Sequence, residues 1–350
     1  MAHEITIRPD GTAEAAFAME PAWHGLGVVI DHAMSSEEAI KAAQLDWIVE
    51  LAPLKASWNN VDRKVTNAFA TVRTDTGDVL GIVSHKYKVV QNYEAFCFLD
   101  SLVEEGQMTY ESAFSLKGGK KVVLLARLPS VDQIVPDDLL QRYLLLSLSH
   151  DGSSGILFGP TSVRVVCANT YALALQEGYI RDIGRFLPRD IRGTQTLSVR
   201  HMGNVADKLH NAKLLLRAVN VMLDDFAGLA RRLAQYRLTD EQFRHFLDVM
   251  CPKLPPYDPD YTQQRAREIE ATRASIHRLF YECDRQNLAG IERSAWAAFC
   301  AVAEHIDHLP RRGATAVQRA EARFNMALYG PGRSMKRRAL ETLQRLVLGA

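Results

Sequence analysis

The side chains of this sequence that could do chemistry are mostly cations and rings set close to glycines. Lys117 and Lys120-Lys121 bracket Gly118-Gly119, Lys86 and Lys88 bracket Tyr87, Arg200 precedes His201, and Trp23 stands beside His24 and Gly25. Lys and Arg so placed suit the phosphate backbone of a nucleic acid, and Trp23 or Tyr87 offers a ring on which a base can stack. Arg164 lies on an alternating stretch, Ser162 to Cys167, that runs into a helix start at Ala168-Asn169-Thr170. A guanidinium beside unpaired backbone N–H groups is an anion site in outline. The plainer reading pairs Arg164 with a carboxylate and uses Trp23 to close a sheet edge. His305 and His308, three apart with Asp307 between them, could share a metal on one helical side.

Covalent chemistry has no comparable signature. The chain has no Walker loop, dinucleotide fingerprint or nucleophile elbow, and its acidic residues form no nuclease-like group. Lys117-Gly118-Gly119-Lys120 lacks the spacing of a phosphate loop and reads as a mobile basic finger between strands. The expectation is a binding protein with no catalytic residue, cofactor or metal.

Charge supports that direction. The chain carries 42 Lys and Arg against 41 Asp and Glu, but residues 1–180 hold 14 against 22 and residues 181–350 hold 28 against 19. Halves of −8 and +9 suit contact with nucleic acid, head-to-tail contact between subunits, or simply solvated helix faces. At 47% hydrophobic and 24% charged residues, 350 residues can build a core without staples. Five cysteines without a C-x-x-C pair point to a reducing compartment and no zinc knuckle. No apolar run has membrane-spanning length and no signal-peptide core is visible, so a cytoplasmic protein is expected.

These residues must be positioned by hairpins and helices. Asn67 to Arg73 and Val79 to Val83 alternate around a tight turn at Asp75-Thr76-Gly77-Asp78, and Thr109 to Leu116 and Lys121 to Leu128 form a second hairpin. Between them a helix from Asn92, its cap, runs past Val103 to Gly106. A sheet with a helix on one face is predicted, its other face free for ligand. Ser35 to Glu38 and Thr239 to Gln242 are capping boxes, Trp47 to Pro53 and Gln141 to Ser149 are strands, and 171–176 is a helix. From Thr194 the chain turns helical. Val205, Leu209, Ala212, Leu216, Val219, Leu223, Phe226, Ala230 and Leu233 form a seam at heptad spacing, followed after a Pro-rich linker at 252–259 by helices near 260–287, 291–308 and 316–329 and a basic tail helix from Ser334. The fold expected is α+β: antiparallel β-hairpins packed on a helix in the N-terminal half, and a helical C-terminal half. Its parts would be a flexible arm at 1–20, an α+β domain at 21–193 and a helical basic domain at 194–350.

Three stretches in order, Pro21-Ala22-Trp23-His24-Gly25-Leu26-Gly27, then Val89-Val90-Gln91-Asn92 with Gly118-Gly119-Lys120, then Val163 to Thr170, resemble the phage/plasmid-like protein family, domain of unknown function 932. Arg200-His201, Asp307-His308, Phe324, Gly330 and Lys336 extend the likeness over most of the chain. The family has Thr-Pro where this chain has Pro21-Ala22. The resemblance implies a protein of a mobile element. A looser likeness in architecture, hairpins on a helix followed by helices, is to the single-strand annealing recombinases of phages and eukaryotes, which hold single-stranded DNA by its backbone in rings. Together they imply a homo-oligomeric, ring or filament, single-stranded DNA-binding and annealing protein that mediates homologous recombination. Lys86, Lys88, Lys117, Lys120, Lys121, Arg164, Arg200 and His201 would contact phosphates, with Trp23 or Tyr87 on bases. The alternatives are a metal-dependent nuclease or hydrolase built on His24, His201, Asp307 and His308, and a phage-encoded anti-defence module that binds a host protein.

Overall fold

Two local signals decide the architecture: strands that read as alternating or as unbroken apolar runs, and apolar residues repeating at helical spacing. The computed structural model describes residues 4–22, 25–136, 138–154, 156–161, 205–255, 257–258, 262–283, 290–307 and 331–349. The chain divides into a first unit of His3–Ser130 and Gln141–Leu223 and a second containing Val131–Leu140 and Asp224–Ala350.

In chain order the strands are β1 (Ala15–Ala18), β2 (Val28–Ile30), β3 (Val49–Trp58), β4 (Val61–Arg73), β5 (Val79–Ser84), β6 (Thr109–Leu116), β7 (Lys121–Val135), β8 (Asp138–Ser149) and β9 (Leu157–Thr161). The helices are α1 (Ser36–Ala42), α2 (Asn92–Phe96), α3 (Asp100–Glu104), α4 (Val205–Gln235), α5 (Asp240–Met250), α6 (Gln263–Glu282), α7 (Ala295–Asp307) and α8 (Pro331–Leu348). The protein is α+β, with sheets in the N-terminal half and helices in the C-terminal half. One sheet has six strands in the order β2-β1-β6-β7-β8-β9 and the other three in the order β3-β4-β5.

Val122-Val123-Leu124-Leu125-Ala126 in β7 is an unbroken apolar run. Val122, Leu124 and Ala126 join Ala113, Leu144 and Leu146 in a core with Leu99, Leu102, Leu215 and Val219 from the helices. Successive side chains alternate faces, so Val123 and Leu125 turn the other way with Phe17, Phe114 and Leu145, and these are buried too. The central strands of the larger sheet therefore have no free face, contrary to the sequence expectation. A continuous apolar run belongs to a strand covered on both sides, and each buried Val or Leu in it contributes about 1.5–3 kcal/mol.

The flexible arm expected at 1–20 is likewise absent from the described part of that stretch. Ala15–Ala18 is an interior strand, parallel to β2 and antiparallel to β6, with all four residues buried. Ala-Ala-Phe-Ala shows no alternation because both of its faces are covered. Gly27 permits the close approach of β2: a Cβ there would lie 2.6 Å from the Ala15 carbonyl oxygen, at a φ of +89°.

The single helix expected from Asn92 is two short ones, α2 and α3, separated at Cys97–Leu99. Asn92 is not the cap. Its Nδ2 donates to Leu45 O (2.8 Å) while its Oδ1 faces His150 Nε2 (2.9 Å), so Gln91 takes the N-cap position and donates its backbone N–H to the Glu94 carboxylate (2.9 Å). The capping boxes at Ser35–Glu38 and Thr239–Gln242 are both formed. Along α4 the seam residues Ala212, Leu216, Val219, Leu223, Phe226, Ala230 and Leu233 are all buried. In the second unit Phe243 of α5 stacks on Phe280 of α6 at 3.8 Å, and Trp296 Nε1 donates to Asp138 (2.8 Å). The boundary expected at 193/194, the strand at 162–167 and the helices at 171–176 and 316–329 lie outside the described residues.

Candidate nucleic-acid interface

The cations singled out by sequence separate into two groups. Lys121 opens β7 and faces inward. Its Nζ donates to Ser149 Oγ (2.7 Å), Ser153 Oγ (2.6 Å) and Ser154 Oγ (3.1 Å) and lies 3.2 Å from Asp151 Oδ1, with 15% of the side chain exposed. Burial lowers the pKa of the ammonium while Asp151 acts against it. Burial alone would raise the Asp151 pKa, but donors from Ser149 and Ser153 and the charge of Lys121 outweigh it and hold the carboxyl down at about 2. Lys121 is thus a staple for the turn after β8, not a phosphate contact. Tyr87 is engaged in the same place: its hydroxyl donates to Ser149 O (2.9 Å), and its half-buried ring packs against the core.

The Gly118-Gly119 turn is packed rather than a mobile finger. A Cβ on Gly119 would meet the Trp47 ring at 3.1 Å, and Lys117 lies 3.4 Å from Glu4. Behind the turn Arg73 sits 4.3 Å from the Trp47 ring centroid and pairs with the fully buried Glu14, which also accepts from Ser115 Oγ. His150 meets the other side of this group with its ring edge-on to Trp47 at 5.4 Å. Burial lowers its pKa to about 4, so the imidazole is neutral and its Nε2–H donates to Asn92. For the Arg73–Glu14 pair, desolvation offsets much of the mutual attraction, so it adds little net stability.

The second group faces water. Lys86 and Lys88 are exposed on the loop after β5, and Lys120 is half-buried. That loop adjoins the smaller sheet. β5 pairs with β4 as far as Ala68–Ser84, and His85 N–H reaches Asn67 O (3.2 Å). Beyond that point β3 and β4 continue as a two-stranded ribbon, from Leu54 opposite Val65 to Trp58 opposite Val61. Asn59 and Asn60, at φ +48° and +60°, close it. Two left-handed residues match the strand twist in a two-residue hairpin turn.

Every residue from 55 to 64 is exposed, so both faces of the ribbon are in solvent. Lys55 lies directly opposite Lys64, Arg63 faces Ala56, and the one acid, Asp62, accepts from Ser57 Oγ (2.5 Å). Trp58 at the tip is 79% exposed. The three-stranded part of the sheet is tied to the turn after β8: Thr71 Oγ1 donates to His150 O (2.7 Å), and Gly81 lets the sheet close onto Asp151, whose carbonyl oxygen would sit 2.4 Å from a Cβ there. Sequence alone assigns no element to 54–66, between the strands at 47–53 and 67–73. The ribbon's sequence signal is Asn59-Asn60 directly after the alternating Leu54 to Trp58.

Trp23, His24, Arg164, Arg200, His201 and His308 lie outside the described residues. His305 is buried with Nδ1 2.9 Å from Ser275 Oγ, and no group of metal ligands occurs among the described residues. A cleft of about 540 Å³ runs between α5 and α6, but its Asp240, Lys253, Glu270 and Arg273 are paired within it or with its walls.

Residues 79–184 and 189–329 match the family described as Domain of unknown function (DUF932). The chain belongs to this family. The DUF932 match includes Lys86, Lys88, Lys117, Lys120, Lys121, Arg164, Arg200 and His201 and begins after the ribbon. No curated protein and no solved structure matches the chain. No helix among the described residues is long and apolar enough to cross a membrane.

Proposed function

We propose that this DUF932 protein binds single-stranded DNA through its phosphates, as a homo-oligomer that anneals strands during recombination of a phage or plasmid in the bacterial cytoplasm. The observation that carries the reading is the ribbon with Lys55 directly opposite Lys64, flanked by Arg63, in full solvent. Like charges facing across a strand pair destabilise it by roughly 0.2–1 kcal/mol, a cost that a polyanion reverses. Lys86 and Lys88 extend the cationic surface at the base. Phosphates carry no base identity, so recognition by these groups is sequence-tolerant. The oligomer rests on the opposite charges of the two halves of the sequence, which favour head-to-tail contacts that close into rings or run on as filaments.

Anisotropy titrations of a labelled 30-nucleotide strand at rising salt test the binding. The expected log K falls linearly with log salt, about −0.7 per phosphate contact. A folded protein that ignores the strand at low salt overturns the reading, and sedimentation as monomer with and without DNA overturns the assembly. One observation favours a second reading, the docking of a host protein: Val79 and Ile82 leave apolar surface exposed on the smaller sheet. Capture of a defined host protein by a chain that ignores DNA is its expected signature.

A further inference from the structure

We infer that Trp58 stacks on an unpaired base and makes the ribbon selective for single strands over duplex, an inference that rests on the nucleic-acid reading above. The ring is 79% exposed at the tip of a two-stranded ribbon, and Val61, its direct cross-strand partner, is itself 53% exposed and leaves the ring uncovered. Burying an indole in water-free contact is worth far more than leaving it in solvent, so a solvated Trp at the tip of the ribbon is poised for a partner.

Charge around the ring says which partner. The pleat places Trp58, Val61, Ala56 and Arg63 on one side of the ribbon and Lys55, Lys64, Ser57 and Asp62 on the other. Arg63 is the cation on the face of Trp58, and Lys55 and Lys64 lie on the opposite face with Asp62, which accepts from Ser57. Diagonal neighbours in a strand pair lie about 7–8 Å apart, so Arg63 reaches the phosphate of a nucleotide whose base lies on Trp58. Backbone cations with an aromatic platform are the recognition chemistry of unpaired strands, because every base has a π-face. A duplex hides those faces in its own stack and offers the ribbon phosphates alone.

The test compares an oligothymidylate, an abasic strand of equal length and a blunt duplex, titrated against the wild-type protein, Trp58→Ala and Trp58→Phe. Trp58→Ala is expected to weaken oligothymidylate binding roughly 5- to 150-fold, the span of one stacked base, and to leave abasic and duplex binding unchanged. Trp58→Phe is expected to restore most of the loss. Melting of the variants should equal wild type, since the ring contributes little to the core. The inference is overturned, with the parent reading intact, if wild type binds oligothymidylate and abasic strand alike, or if Trp58→Ala binds both as wild type does. It is also overturned if Trp58→Ala instead dissociates the oligomer, which would make the tip a contact between copies. Wild type that binds none of the three ligands removes the parent reading with it.

Discussion

Lys121→Ala separates a structural cation from a phosphate contact. The ammonium has three protons for three serine hydroxyls and Asp151, all within 3.2 Å, and is largely shielded from water. A hydrogen bond to a charged group is worth about 1.5–3 kcal/mol, and removing one partner of a well-buried pair costs about 3–5 kcal/mol. Here Ser149 and Ser153 still donate to Asp151 and some solvent reaches it, which moderates the loss. The expected destabilisation is about 2–3 kcal/mol, which for a unit of this size lowers the melting temperature by roughly 4–12 °C. Calorimetry measures it, with the salt dependence of strand binding followed in parallel and expected not to change. Unchanged melting with a salt slope flatter by about 0.7 would refute the staple, since that is the signature of a lost phosphate contact.

His150 is held neutral until about pH 4, whereas its unfolded counterpart takes up a proton near 6.5, so the unfolded state binds more protons in that window. Stability from this group is complete above pH 6.5 and falls by up to about 3 kcal/mol on going to pH 4; urea unfolding across the window should show a shallower pH dependence for His150→Gln, and an identical profile would contradict it. Gly81→Ala drives a Cβ into the Asp151 backbone and should cost about 1–3 kcal/mol in thermal melting, with a neutral result meaning that the smaller sheet does not close onto that turn.

Elements specified by neighbours in sequence were legible. The β4–β5 and β6–β7 hairpins, both capping boxes and the α4 seam follow from turn residues, side-chain caps and periodicity over a few residues. What covers a face is decided by distant chain, which local sequence does not carry. Lys121 looked like a surface cation because its partners lie 28 to 33 residues away, on the turn after β8. Asn92 looked like a cap until Leu45 and His150 claimed its side chain. The unbroken run Val122–Ala126 did carry the signal of two-sided burial, and Asn59-Asn60 carried that of the ribbon.

The central claim is that the ribbon's cations bind phosphate, and the salt dependence of the triple variant Lys55→Ala, Arg63→Ala, Lys64→Ala tests it most directly. With the fold unchanged by melting, the slope of log K against log salt for a single strand should be shallower by about 2, three contacts at about 0.7 each, and low-salt affinity should drop with it. A triple variant that keeps the wild-type slope and affinity would contradict the account.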